Sequence, residues 1–216
     1  MEQNQMNSRQ RKHKCRLNNF YPGEENQKVY TVITNLAADP DGKNVFLLGK
    51  PSSGKSHLLV GIEKHIKAHS TAMVERLSCN EFKNLFVMAI TNGTTAEFYD
   101  HFIKNTNVLL LDDCQFLTES IVDVLVQIST EYIESGKTLI LAGDYLLAGV
   151  CAIPNLQVLH LTRAGQATRK IILQERLREK GIVLEDTLLN QISEKIEDPR
   201  RITGFATFLA ARRNCS

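Results

Sequence analysis

Apolar residues follow two rhythms along this chain. Short unbroken runs, NVFLLG (44–49), NVLLLDD (107–113) and KTLILAGD (137–144), have the length and composition of strands buried on both faces. Longer segments carry apolar residues three and four apart. KSHLLVGIEKHIKAH (55–69) lines up Leu58, Leu59, Ile62 and Ile66 on one helical face. The pattern predicts further helices over QKVYTVITNLA (27–37), CNEFKNLFVMAITNG (79–93), TAEFYDHFIKN (95–105) and ESIVDVLVQISTEYIESG (119–136), and strands at TAMVERLS (71–78) and LQVLHL (156–161). DPDGK (39–43) ends the first helix, and Asn92-Gly93 separates the helix pair. Such alternation predicts an α/β fold, a parallel sheet with helices on both faces. From about Thr162 the strands stop and three helical patterns follow, over 167–181, 184–196 and 200–214. The expected organisation is a tail over 1–16, a nucleotide-binding α/β domain over 17–161 and a helical lid over 162–216.

Composition narrows the classes. The 216 residues are 43% hydrophobic, enough for a core, and 26 Lys and Arg against 24 Asp and Glu leave a net charge of +2. Nothing global therefore demands nucleic acid or membrane. RQRKHKCR (9–16) reads as a solvated basic tail, with weak contact to nucleic acid or acidic lipid as its functional alternative. The five cysteines (15, 79, 114, 151, 215) are odd in number and form no CxxC, which suits reduced thiols better than disulfides or zinc. There is no apolar leader at the N-terminus, and no apolar stretch nears the ~18 residues of a membrane span. A cytoplasmic protein without a membrane partner is expected.

The candidate chemistry sits at strand ends. GKPSSGKS (49–56) fits G-x-x-x-x-G-K-[ST] between a strand and a helix. Such a loop aims backbone N–H groups at phosphate oxygens, Lys55 reaches the outer phosphates, and the Ser56 hydroxyl can hold Mg²⁺. A second buried strand ends in Asp112-Asp113; Asp112 would hold Mg²⁺ and Asp113 would orient or deprotonate water. Asp144 ends a third strand and could sense a γ-phosphate, although without the other motifs a plain turn aspartate after Gly143 is the better reading. In DPRRITGF (198–205) an arginine at a helix start could reach back to the phosphates.

Taken together, these residues resemble the AAA+ domain of the bacterial replication-initiator DnaA family, over roughly Leu17 to Ala211. NNFYPGEEN (18–26) resembles the family's lead-in segment near the adenine, and GKPSSGKSHLL (49–59) its phosphate loop with the helix that follows. The resemblance makes Gly49, Lys50, Pro51, Ser52, Ser53, Gly54, Lys55, Ser56 and His57 the expected contacts of ATP or ADP. It makes Asp144 the first sensor and Arg200 the second, with Arg201 as its rival, and Asp113 and Asp144 the catalytic pair. The helix pair within 80–104 resembles the family's insertion that sets subunit stacking and lines a path for single-stranded DNA, with Lys83 and Lys104 as candidate contacts. Phe82, Phe86, Phe98 and Phe102 at helical spacing favour core over a stacking platform. Two departures matter. Tyr145 to Leu161 holds no arginine where the family carries its finger, which counts against self-assembled, hydrolysing rings. The sequence ends after the lid; if that is the whole chain, the family's duplex-reading domain is absent, origin-sequence recognition is not expected, and the chain is similar to Hda-type regulators and helicase loaders. The resemblance implies a nucleotide-controlled assembly or docking module in replication initiation or its regulation, with weak ATPase activity and an initiator or replicative helicase as partner. The alternatives are a helicase-loader-like or single-stranded-DNA-binding module with structural nucleotide, and a small-molecule P-loop kinase.

Overall fold

The computed structural model describes residues 15–40 and 42–213. Cys215 and the expected tail, apart from Cys15 and Arg16, lie outside the described residues. The described residues form two compact units. The first comprises residues 15–20 and Val29–Leu161; the second comprises Tyr21–Lys28 with residues 162–213. Tyr21–Lys28 thus groups with the second unit although it lies far ahead of residue 162 in sequence.

The first unit is built on five strands: β1 (Asn44–Leu48), β2 (Val74–Ser78), β3 (Val108–Asp112), β4 (Thr138–Gly143) and β5 (Leu156–His160). They pair in the order β2-β3-β4-β1-β5, every pair parallel. This is the expected doubly covered sheet, and side-chain alternation shows why. Val45 and Leu47, Val108 and Leu110, and Ile140 and Ala142 face helix α1 (Gly23–Ala38), from Val29 on, and helix α2 (Lys55–His69). Phe46, Leu109, Leu111, Leu139 and Leu141 face the other way. They pack against α3 (Cys79–Asn92), α4 (Thr95–Lys104) and α5 (Glu119–Glu134). Central strands buried on both faces need apolar residues at every position, hence the unbroken runs.

The α3–α4 pair is closed by its aromatic side chains. Phe82, Phe98 and Phe102 lie 4.8–5.4 Å apart between ring centroids and are buried. As the spacing predicts, they are core. Ser78 and Glu81 cap α3 reciprocally, each side chain accepting the other's backbone N–H.

Helix α1 begins at Gly23, ahead of the predicted Gln27. Glu24 and Glu25 in its first turn favour a helix N-terminus, a signal masked by the turn-like Tyr21-Pro22-Gly23. The second unit holds α6 (Gln166–Arg178), α7 (Asp186–Lys195) and α8 (Pro199–Arg213), packed around Leu173, Leu177, Leu189, Ile202 and Ala206. Tyr21–Lys28 joins it through side chains. Glu25 accepts hydrogen bonds from the Gly165 N–H (2.7 Å) and the Thr168 hydroxyl (3.2 Å) at the start of α6. The Asn26 amide pairs both ways with the Thr162 backbone, at 3.0 and 2.9 Å.

Candidate nucleotide site

The sheet order puts β4 between β1 and β3, so the C-terminal ends of these strands form one edge, where open α/β sheets place ligands. Leu48 is in register with Gly143, and Leu111 with Leu141. Gly49, Asp112, Asp113 and Asp144, far apart in sequence, therefore meet at that edge.

The loop from Gly49 to Gly54 is tightly enclosed. Gly49 donates its N–H to the Gly143 carbonyl (3.1 Å), and a Cβ at Gly49 would fall 2.4 Å from the Leu161 carbonyl oxygen. Gly54, with φ +104°, turns the chain into α2; a Cβ there would fall 2.6 Å from the Phe20 ring. Only glycine meets both demands. Gly54 has no side chain to cap α2, so the N–H groups of its first turn point out of the helix without intrahelical acceptors. The Ser52 and Ser53 hydroxyls are buried with no hydrogen-bond partner, although burying an unpaired hydroxyl costs on the order of 1–3 kcal/mol. Such donors inside a loop of this shape fit phosphate oxygens. Lys50 and Pro51 are exposed on its rim.

Lys55 is 8% exposed. Its ammonium sits 2.7 Å from the Asp144 carboxylate and donates to the carbonyls of Gly49 and Lys50. Ser56 donates its hydroxyl to Asp112. Burial pushes the Asp112 carboxyl above the ordinary carboxylate range and the charge of Asp113 adds to this, while the Ser56 bond and Lys55 oppose it. Asp113 is exposed, with φ +61°, and starts a single 3₁₀ turn, Cys114–Phe116. Among the described residues no three His, Cys, Asp or Glu side chains group to hold a metal. One hydroxyl and adjacent carboxylates suit Mg²⁺, which keeps several of its waters.

His57 is engaged by the residues that lead into the sheet unit. Its Nε2 lies 2.9 Å from both the Arg16 carbonyl and the Asn19 Oδ1, and its ring meets Phe20 edge-on. Phe20 also stacks on Tyr30 at 5.7 Å. Phe20 therefore packs against the phosphate loop, a long-range contact that local pattern does not reveal. Arg200 belongs to the second unit, where its guanidinium pairs with Asp198 at 3.1 Å. Arg201 lines a polar recess of that unit with Arg163, Lys195, Glu197 and Asp198.

Sequence reasoning gave Gln115 no role, yet its side chain lies between Asp113 and the Asp144 backbone, 3.4 Å from each. The segment that lacks arginine forms a short 3₁₀ turn, Ala148–Ala152, before β5.

The chain is 27% identical to the chromosomal replication initiator protein DnaA of Symbiobacterium thermophilum over 212 residues, 90% of this chain and 45% of that protein. It thus spans less than half of that relative's length. A solved structure described as replication initiator DnaA bound to AMPPCP and single-stranded DNA superposes with a TM-score of 0.81 at 26% identity, covering 91% of this chain and 64% of that one. Domain III of the Thermotoga maritima replication initiation protein DnaA superposes with a TM-score of 0.78 at 26% identity, covering 88% and 84%. The family model of the bacterial DnaA ATPase domain matches residues 11–153, most of the sheet unit, and the chain belongs to that family.

Proposed function

We propose that the chain binds ATP or ADP with Mg²⁺ on the first unit and acts in bacterial DNA replication, at initiation or its regulation. It would serve there as a nucleotide-controlled assembly or docking module with weak ATPase activity, in the cytoplasm. The observation that carries this is the phosphate-shaped loop with Lys55 at its mouth and two buried, unpartnered serine hydroxyls inside it. The AMPPCP-bound relative adds support.

Ser52, Ser53, Lys55 and the first N–H groups of α2 would hold the phosphates. Ser56 and Asp112 would hold Mg²⁺, which offsets charge on the transferring phosphoryl group. Asp113, next in the chain, would orient a water and accept its proton. Asp144, already paired to Lys55, is suited to register the outermost phosphate. Arg200 is proposed as the second-unit residue that reports nucleotide state. The arginine-free stretch from Tyr145 to Leu161 fits slow turnover, because a finger arginine is worth about 10³–10⁵ in rate.

The helix pair is proposed as the face toward a partner, a replication protein or single-stranded DNA. Phe82, Phe98 and Phe102 are interior, but α3 exposes Leu85, Val87, Met88 and Ile90. Lys104 is paired with Asp100, which makes it a weaker candidate contact than Lys83. The test is binding of ATP and ADP to nucleotide-stripped protein, together with anisotropy of a labelled single-stranded oligonucleotide in each nucleotide state at two salt concentrations. Binding of ATP or ADP that needs Lys55 supports the nucleotide site; binding of neither refutes it. Oligonucleotide binding only with ATP, weakened by salt, supports the DNA face. Its absence in every state points to a protein partner.

A further inference from the structure

The ends of β3 and β4 are joined by one side chain. The Gln115 amide nitrogen donates to the Asp113 carboxylate at 3.4 Å, and its amide oxygen accepts the Asp144 backbone N–H at 3.4 Å. These bonds are long, but their chemistry fixes the amide's orientation. Turned over, the NH₂ would face an N–H and the oxygen would face a carboxylate. The Gln115 backbone is held as well: the Tyr145 hydroxyl donates to its carbonyl at 2.9 Å. The end of β4 borders this turn: a Cβ at Gly143 would lie in ordinary contact, 3.4 Å, with the Gln115 backbone nitrogen, and 3.0 Å from the Phe46 ring. Asp113 has a left-handed backbone (φ +61°), uncommon outside glycine although aspartate adopts it more readily than most residues.

We propose that Gln115 is a positioning residue that ties Asp113 to Asp144, so that the two strand ends respond together to the outermost phosphate of a bound nucleotide. This rests on the nucleotide site proposed above. Through Asp144 the link continues to Lys55, at 2.7 Å. Through Asp113, whose N–H donates to the Asp112 carboxylate at 3.0 Å, it continues to Ser56. Gln115 thus closes a polar arc around the place where a third phosphate would sit. A diphosphate would not reach that far, so loss of the link should be felt by ATP and not by ADP. Tyr145 supports the same arc one step further out.

The test compares AMPPCP with ADP, each with Mg²⁺, on wild type, Gln115→Ala, Gln115→Glu and Tyr145→Phe. Gln115→Ala should weaken AMPPCP binding about three- to tenfold, the worth of one modest hydrogen bond, with ADP affinity changed less than about twofold. Tyr145→Phe should shift in the same direction by less. Gln115→Glu sets a carboxylate against Asp113 and should discriminate worse than Gln115→Ala at neutral pH. Relative to wild type it should recover as the pH falls and the new side chain takes up a proton, a response that simple loss of packing would not give. Equal loss for both nucleotides, no loss for either, or no pH recovery would overturn the assignment. Failure of the wild type to bind either nucleotide would instead remove the site itself, and the assignment with it.

Discussion

The two units are held together in different ways. In the first, central strands are buried on both faces, and the core runs through them from one helical layer to the other. In the second, three helices share five buried side chains: Leu173, Leu177, Leu189, Ile202 and Ala206. A fully buried aliphatic side chain contributes about 1.5–3 kcal/mol, and half-buried Ile172, Ile192, Phe205 and Leu209 add to this smaller core. Long-range polar ties, Glu25 to Gly165 and Asn26 to Thr162, supplement it. The sheet unit carries the proposed chemistry, and the smaller helical unit carries the proposed reporter, Arg200.

The comparison is tested hardest by breaking the chemistry without the fold. Lys55→Ala removes the ammonium at the loop's mouth and should weaken ATP and ADP binding by about a hundredfold or more, since bonds to charged groups are worth roughly 1.5–3 kcal/mol each. Isothermal titration of variant and wild type checks it, and an unchanged affinity would deny the loop its proposed role. Breaking the fold without the chemistry is the converse. Leu173→Ala should cost about 2–5 kcal/mol, enough to open the second unit. Hydrogen exchange should then speed up across α6, α7 and α8 while β1, β3 and β4 stay protected; uniform exchange would mean that the two units melt together.

Within the first unit, stability and chemistry oppose each other at one residue. Burial raises the Asp112 carboxyl, so the ionised form is less favourable folded than unfolded. The folded state then holds its proton to a higher pH than the unfolded chain. Stability falls as pH rises through the ordinary aspartate range and stays lowered above the raised folded value. Asp112→Asn should therefore raise the melting temperature at neutral pH by a few degrees, about 1 kcal/mol in a domain of this size, while abolishing Mg²⁺-dependent nucleotide binding. A lower melting temperature would count against it.

The smallest effect is expected at Glu25. Burial raises its carboxyl, but the Gly165 N–H, its own backbone N–H, the Thr168 hydroxyl and Arg169 together hold it below its ordinary value. Its contribution is present above the unfolded value near 4.5 and is lost as pH falls through the depressed folded value. Glu25→Gln should loosen the start of α6 measurably at neutral pH, and the difference from wild type should vanish in acid. Amide exchange at Gly165 is the direct readout; a difference that survives in acid would contradict it.

Most of the fold could be read from local pattern because its signals are local. The buried runs at 44–49, 107–113 and 137–144 and the Ser78–Glu81 cap each lie within a few residues. The turn between β1 and α2 was legible for the same reason, since GKPSSGKS holds its glycines and the residues of the proposed chemistry in one stretch. What escaped depends on pairing across the chain. Phe20 against Gly54, Gln115 between two strand ends and Glu25 against α6 have no periodicity and no motif. The left-handed backbone of Ser52 and Asp113 was hidden too, since neither is glycine.

The discontinuous second unit bears on how this chain can be cut. A stop codon after Leu161 would delete α6, α7 and α8 but leave Tyr21–Lys28, with Glu25 and Asn26 deprived of the groups they bind. Residues 162–213 expressed alone would lack the cap of their first helix. A clean separation instead needs a rearranged gene in which the segment containing Tyr21–Lys28 is spliced ahead of Thr162, and the first unit is closed by a linker from Phe20 to Val29.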